Sequence, residues 1–260
     1  MKKSVAVILF PGSNCEVEAS SMLSYAGLEP TIVRWNMLKA IEDFDSYFLP
    51  GGWSYEDRIR AGVIASKEPM VAKIKNEAKK GKPVIGICNG AQILVEAGMV
   101  PTNSDEPTLA LAPNRNRFIS GLYSTWILVK VNTRCKSKLL QDFHPGEIVP
   151  MPIAHGEGRY TSNDPDMLKH LESKKVIAFQ YCDPKGNTDI GFPYNPNGSI
   201  GSIAGISNEH GNVLAIMPHP ERASLMRNLP SQRGSFQDSM RFAPSMKLFT
   251  GLRKVLEAKK

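Results

Sequence analysis

The chain has 260 residues, 42% of them hydrophobic, a formal net charge of +7 and four cysteines. This is enough for one large unit with a sizeable core, and no run approaches the roughly 18 consecutive apolar residues of a membrane span. The positive charge is scattered, with only short runs such as Lys79-Lys80, Lys174-Lys175 and Lys259-Lys260. With no basic stripe interleaved with aromatics, solubility or an acidic protein partner fits it better than nucleic acid.

Taken in order, Val5 to Phe10 is a strand that runs into Pro11-Gly12-Ser13-Asn14-Cys15. A helix follows through Tyr25, with Gly27 placed as its C′ residue. Thr31–Val33 and Ser46–Leu49 are strands, the second ending at Pro50-Gly51-Gly52. Glu68 to Lys80 has apolar residues at helical spacing (Met70, Val71, Ile74, Ala78) and stops at Gly81. Val84–Ile87 is a short apolar strand that stops at Cys88, and a helical pattern starts at Asn89. Strands and helices alternating at this spacing predict an α/β fold: an open, mostly parallel, flavodoxin-like sheet with helices on both faces. Sites in such sheets lie beyond the C-terminal ends of the strands, where the loops 11–15, 50–56 and 88–92 all fall.

The second half is richer in strands and predicts a small antiparallel portion. Trp126–Val131, Glu147–Ile153, Val176–Tyr181, Ile203–Ser207 and Asn212–Ile216 are strands, and Pro165–Glu172 is a short helix. Gly186–Gly201 is a long loop. Residues 223–243 lack periodicity and read as an irregular insertion. Leu248, Leu252, Val255 and Leu256 mark the apolar stripe of a final helix over 244–258. No repeat or linker divides the chain, so 1–260 reads as a single domain.

The junction at Cys88 carries the chemistry. A cysteine at a strand end is ordinarily a packing residue. Here it sits on a strand–turn–helix boundary between Gly86 and Gly90, in a Gly-x-Cys-x-Gly-x-Gln pattern, which is the layout of a nucleophile elbow. The helix N-terminus beside the sulfur favours the thiolate. The remaining cysteines, 15, 135 and 182, show no CxxC or metal-like spacing. The apolar run after Met1-Lys2-Lys3 is too short for a secretory signal, so reduced thiols and a cytoplasmic location are expected. Cys15 is taken as structural.

A nucleophilic cysteine needs a base and a group that orients it. His144, His170 and His210 lie in polar, loop-like contexts. His155 and His219 each begin a His-x-Glu sequence. His219 follows a strongly apolar strand that would deliver it to the rim bearing Cys88, and Pro218 and Pro220 restrict its backbone, so it ranks ahead of His155. His155 otherwise reads as a turn residue bridged to Glu157 or Arg159. The N–H of Asn89, next after the cysteine, and one from the Gly51-Gly52 loop are the candidate oxyanion donors.

GICNGAQIL (86–94), LPGGWSYEDRIRAG (49–62) and MPHPER (217–222) together resemble the class I, triad-type glutamine amidotransferases. More narrowly, PGSNCEVE (11–18), APNRNRF (112–118), PIAHGEGRY (152–160), NPNGS (195–199) and the run from Ile203 to Arg222 resemble the glutaminase subunits of phosphoribosylformylglycinamidine synthase. The resemblance spans about Val5 to Arg222. It implies Cys88 as nucleophile, His219 as base, Glu221 as its orienting acid, Gly52 and Asn89 as oxyanion donors, and Gln92 as a contact to glutamine. The implied reaction is hydrolysis of L-glutamine through a glutamyl thioester. Ammonia then passes to a synthetase subunit that uses ATP, with its magnesium, to convert formylglycinamide ribonucleotide to the amidine. A small accessory subunit completes the complex, and no cofactor or metal is implied in this chain.

Two residues depart from the family's pattern. Glu56 stands where glycine is usual after Ser-Tyr, and Ala91 where phenylalanine is usual in the elbow. Three other readings stay open: a cysteine peptidase or deglycase of similar fold, a basic binding module with an inert Cys88, and a glutaminase serving an anthranilate or GMP synthetase. HGEGRY and YEDRIRAG, polar and beside the site, are the expected docking surface.

Overall fold

The computed structural model describes residues 2–258 apart from 40, 103, 105, 117, 120, 133 and 231–234. The Lys259-Lys260 run, Arg117 of the 112–118 motif and part of the 223–243 stretch therefore lie outside the described residues. The first half alternates β1 (Ser4–Leu9), α1 (Glu16–Tyr25), β2 (Glu29–Arg34), β3 (Ser46–Leu49), α2 (Val63–Ser66), α3 (Pro69–Lys79), β4 (Val84–Ile87) and α4 (Asn89–Glu96). The second half contains β5 (Ala110–Ala112), β6 (Tyr123–Val131), β7 (Ile148–His155), β8 (Arg159–Thr161), α5 (Met167–Lys174), β9 (Ile177–Cys182), β10 (Ile203–Ser207), β11 (Val213–Ile216), α6 (Phe236–Ser239) and α7 (Lys247–Glu257).

One nine-stranded sheet runs in the order β2-β1-β3-β4-β11-β10-β9-β6-β7. The strands from β2 to β11 are parallel, and the pairings from β11 outward to β7 are antiparallel. The antiparallel strands extend the main sheet, and among the described residues only β5 and β8 form a separate sheet. The register decides what each face carries. Leu49 pairs with Gly86, and both pack against Gly90 of α4; a Cβ on Gly86 would meet the Gly90 carbonyl at 2.5 Å. Phe48, one residue earlier, points to the other face and stacks on Phe249 of α7 at 6.1 Å. Helices therefore cover both faces, which is why β3, β4 and β11 are buried at every position, β4 and β11 as unbroken apolar runs and β3 with Ser46 at its start.

The final helix buries Leu248, Leu252 and Leu256, with Val255 partly buried against the core. It begins with a 3-10 turn, Pro244–Met246. The described parts of 223–243 hold two short turns of helix: Met226–Asn228, and α6 with its Ser235–Asp238 capping box. β5, β8 and α2 were not expected; each is three or four residues long, too short to show a period. Among the described residues no helix is long and apolar enough to cross a membrane.

Candidate active site

The parallel register brings Cys88 and His219 to the same rim. β4 and β11 are neighbours, with Ile87 opposite Ile216, and the Cys88 N–H donates to the Ile216 carbonyl at 2.8 Å. Cys88 leaves the strand with φ 51° and ψ −107°, a left-handed excursion that a residue with a Cβ makes only when its surroundings force it. Gly90 makes the turn possible, since a Cβ there would lie 2.0 Å from the Leu49 carbonyl oxygen. The thiol is 5% exposed and faces the Ala154 carbonyl at 3.7 Å.

His219 and Glu221 are both 3% exposed, and Nδ1 of the ring sits 2.5 Å from Glu221 Oε1. That contact fixes the proton on Nδ1. Nε2, buried and without another described hydrogen-bond partner, is left to the thiol. Burial disfavours a charged ring, but the charges of Glu221 and Cys88 outweigh it and raise the His219 pKa well above the ordinary histidine value. Gly51 leaves room for the ring: a Cβ there would lie 2.8 Å from His219 Cε1 and 3.4 Å from Cys88 Cβ.

The 11–15 and 50–55 loops zip together. Asn14 N–H donates to the Gly51 carbonyl, Trp53 N–H to Gly12 and Tyr55 N–H to Pro11, at 3.1, 2.8 and 2.8 Å. These bonds flank the Ser13–Gly52 bridge and leave the Gly52 N–H outside it. Gly52 lines a cavity of about 180 Å³ together with Cys88, Gln92, Asp57, His155 and Glu157. Of the residues singled out from the sequence, Cys88, Gly52 and Gln92 line this cavity. Gly51 lies behind it against His219, and the Asn89 side chain accepts from Ser54 N–H and donates to Gln92 Oε1 at 2.9 Å and to Asp57 Oδ1 at 3.3 Å. The Gln92 amide donates to the Glu157 carbonyl at 2.6 Å. Side chains of α4 thus tie two loops to the elbow.

Of three further residues, His155 ranks behind His219 as a candidate base in the sequence, Cys15 reads as structural and Asp57 carries no role there. His155 is neither exposed nor bridged to Glu157 or Arg159. It ends β7 at 3% exposure, with Nδ1 3.1 Å from Asn114 Oδ1. Burial and the nearby His219 push its pKa down to about 3, so it is neutral. Asp57 is pushed up to about 6 by burial and by repulsion from Glu157. Cys15 sits 4.0 Å from His219 Nδ1 and accepts from the Arg222 guanidinium at 3.2 Å. Cys15, His219 and Glu221 offer ligand atoms within 4.8 Å of one another. Because Glu221 already holds Nδ1 and Arg222 brings a positive charge to the sulfur, the trio suits a hydrogen-bonded relay better than a cation. Only the pairing of Cys15 with asparagine, histidine and arginine side chains separates it from an ordinary core thiol, and those contacts span the whole chain.

Residues 2–255 match the CobB/CobQ-like glutamine amidotransferase domain. Curated relatives agree over nearly the full length. The phosphoribosylformylglycinamidine synthase subunit PurQ of Methanothrix thermoacetophila is 43% identical over 98% of this chain and 99% of its own. That of Thermus thermophilus is 42% identical over 84% and 88%. The chain belongs to the PurQ family of glutamine amidotransferases. Among solved structures, PurLQS from Thermotoga maritima superposes with a TM-score of 0.74 at 31% identity, covering 98% of this chain and 100% of the other. A glutamine amidotransferase from Thermotoga maritima, at 14% identity and TM-score 0.51 over 85% and 77%, shares the fold. The family's motifs are what the rim of this sheet assembles: the loop after β1, the glycine pair after β3, the elbow after β4 and the histidine after β11.

Proposed function

We propose that this chain is the glutaminase subunit of phosphoribosylformylglycinamidine synthase. The observation that carries the reading is the meeting of a strained cysteine elbow with a buried His219–Glu221 pair across neighbouring strands. The Cys88 thiolate attacks the side-chain carbonyl carbon of L-glutamine. Negative charge moves onto the carbonyl oxygen, where the N–H groups of Gly52 and Asn89 receive it. His219, protonated and held by Glu221, gives its proton to the departing nitrogen, so ammonia leaves and a glutamyl thioester remains. His219, now neutral, takes a proton from water as it attacks the thioester, releasing glutamate and the thiol. Gln92 and the cavity walls hold the amino acid in place.

Ammonia at neutral pH is mostly protonated and then no longer nucleophilic, so it must pass directly to a second site. That site belongs to the synthetase subunit, which uses ATP and magnesium to convert formylglycinamide ribonucleotide to the amidine, with the small accessory subunit completing a cytoplasmic complex. This chain supplies no cofactor of its own. The isolated chain is a poor glutaminase, and docking across the 152–160 and 55–62 segments orders the Gly51-Gly52 loop. The test is a diazoketone analogue of glutamine followed by mass spectrometry. One adduct on Cys88, suppressed by glutamine and formed faster with the synthetase present, is expected. Labelling of Cys15 instead, or labelling that glutamine does not suppress, rejects the reading.

A further inference from the structure

We infer that Cys15 and Glu18 are positioning residues: they hold the Arg222 guanidinium off Glu221, so that the Glu221 carboxylate stays with His219. The inference rests on the glutaminase reading above. None of these side chains lines the cavity at Cys88. Glu18, Glu221 and Arg222 line a different groove, of about 510 Å³, between α1 and the turn after β11.

Two unmet partners sit on neighbouring residues. Glu221 gives Oε1 to His219 Nδ1 at 2.5 Å, while its Oε2, on a side chain 3% exposed, has no hydrogen-bond partner among the described residues. Arg222 Nε is buried and also lacks one. A guanidinium and a carboxylate readily form a two-pronged pair, and a Glu221–Arg222 pair would satisfy both atoms. Burial disfavours the Arg222 charge and Cys15, Glu221 and Glu18 together more than offset it, so Glu221 already attracts the guanidinium. Yet among the described residues Glu221 pairs with His219 and Arg222 with Glu18. The alternative pair would draw the carboxylate off the ring. Burial disfavours a protonated His219, and Glu221 is what chiefly offsets that, so the imidazole would lose its main support.

Two groups hold the guanidinium away. Its Nη2 donates to Cys15 Sγ at 3.2 Å and lies 3.6 Å from Glu18 Oε1. The Cys15 thiol proton is directed at Asn14 Oδ1, 3.1 Å away, which leaves the sulfur lone pairs for Arg222. The sulfur is 1% exposed and 4.0 Å from His219 Nδ1, so it also closes that edge of the ring. It is fixed in turn, because the N–H groups of Asn14 and Cys15 donate to the Gly51 carbonyl at 3.1 and 3.4 Å. Cys15 is the N-cap residue of α1, which carries Glu18 in its first turn. On the other side, the Ser224 hydroxyl donates to the Pro220 carbonyl at 2.7 Å and steadies the turn Pro220–Arg222. With both backbones held, the partner of Arg222 is decided by its side chain.

The experiment measures glutamine hydrolysis by the complex reconstituted with the synthetase. Cys15→Ala is expected to lower kcat about tenfold with KM little changed, because the carboxylate acts on the ring and not on glutamine. A serine hydroxyl accepts from Arg222 and donates to Asn14 as the thiol does, so Cys15→Ser retains most of the parent turnover. The decisive arm is Cys15→Ala combined with Arg222→Met: with no guanidinium to capture Glu221, kcat returns to within about threefold of the parent. Glu18→Gln lowers kcat about threefold, and Arg222→Met cures that loss too. A double variant as slow as Cys15→Ala overturns the inference, since a packing role for the thiol is not mended by removing Arg222. An unchanged kcat in Cys15→Ala overturns it as well. Should Cys15→Ala fail to fold, Glu18→Gln with and without Arg222→Met is read in the same way, and an unchanged kcat there overturns the inference. A parent complex that does not hydrolyse glutamine overturns the glutaminase reading itself.

Discussion

Cys88, Gly51 and His219 occupy one crowded point, and the crowding makes Gly51 the most sensitive of the small residues there. An added methyl would stand 2.8 Å from the imidazole, closer than a Cβ normally approaches any atom. Gly51→Ala is expected to displace the ring and lower glutaminase turnover by at least about 100-fold, while costing about 1–3 kcal/mol of stability in denaturant titration. His155 makes a different prediction. Its folded pKa of about 3 lies below the ordinary value, so between pH 6.5 and 3 the unfolded chain binds a proton that the folded chain does not. Stability from this group is present above pH 6.5 and is lost, at roughly 1.4 kcal/mol per pH unit, as pH falls toward 3. His219 has the opposite sign: its raised pKa gives stability that is full below pH 6.5 and is lost as pH rises above 6.5 through its folded pKa. Denaturant titrations at pH 7 and pH 4.5 should therefore show a shallower acid loss in His155→Gln than in the parent chain. The sequence disclosed His219 because an apolar strand runs into it between two prolines. It showed His155 as the second candidate base but not its burial, because what encloses that ring, Asn114 and the Gly158 turn, lies in loops with no local pattern.

The loop after β3 is the most strained element beside the cavity. Tyr55, Glu56 and Asp57 all take left-handed backbone angles, with φ 55°, 60° and 52°. Each costs about 1–2 kcal/mol in a residue with a side chain. The glycine usual at position 56 would remove one of these costs, and the exposed Glu56–Arg58 pair offsets little of it. Glu56→Gly is expected to raise stability by about 0.5–1 kcal/mol, measured by denaturant midpoint, with a gain near zero speaking against stored strain at this position. The strain serves placement, since it turns the Asp57 carboxylate toward Asn89 and the cavity. Sequence patterns do not reveal such a run, because nothing in Tyr-Glu-Asp favours positive φ. The regular elements were more legible. Ser46–Leu49 and Val84–Ile87 are bounded as the sequence suggests, because both strands are buried on both faces and end against glycine- or cysteine-bearing turns. β6 extends from Tyr123, three residues before the apolar run from Trp126 begins, since its first residues pair with β7 while half exposed.

At the scale of the whole molecule, the sheet order explains how residues far apart in sequence form one site. β11, among the last strands in the chain, inserts beside β4, and β7 ends at the same rim. Cys88, His155 and His219 are therefore neighbours although 131 positions separate the first from the last. A parallel first half was readable from the alternation of strands and helices. An antiparallel portion in the second half and a strand delivering His219 to the Cys88 rim were readable too, but the order in which β10, β9, β6 and β7 extend the sheet was not, because pairing between distant strands leaves no mark on local periodicity. The solved PurLQS complex that this chain matches over 98% of its length supports a synthetase partner for the site at this rim. The most direct measurement is synthesis of the amidine by the complex reconstituted with a Cys88→Ala chain. Glutamine-driven synthesis should fall to background while synthesis from added ammonium salts continues at the wild-type rate. Glutamine-driven synthesis that survives the substitution would contradict the account.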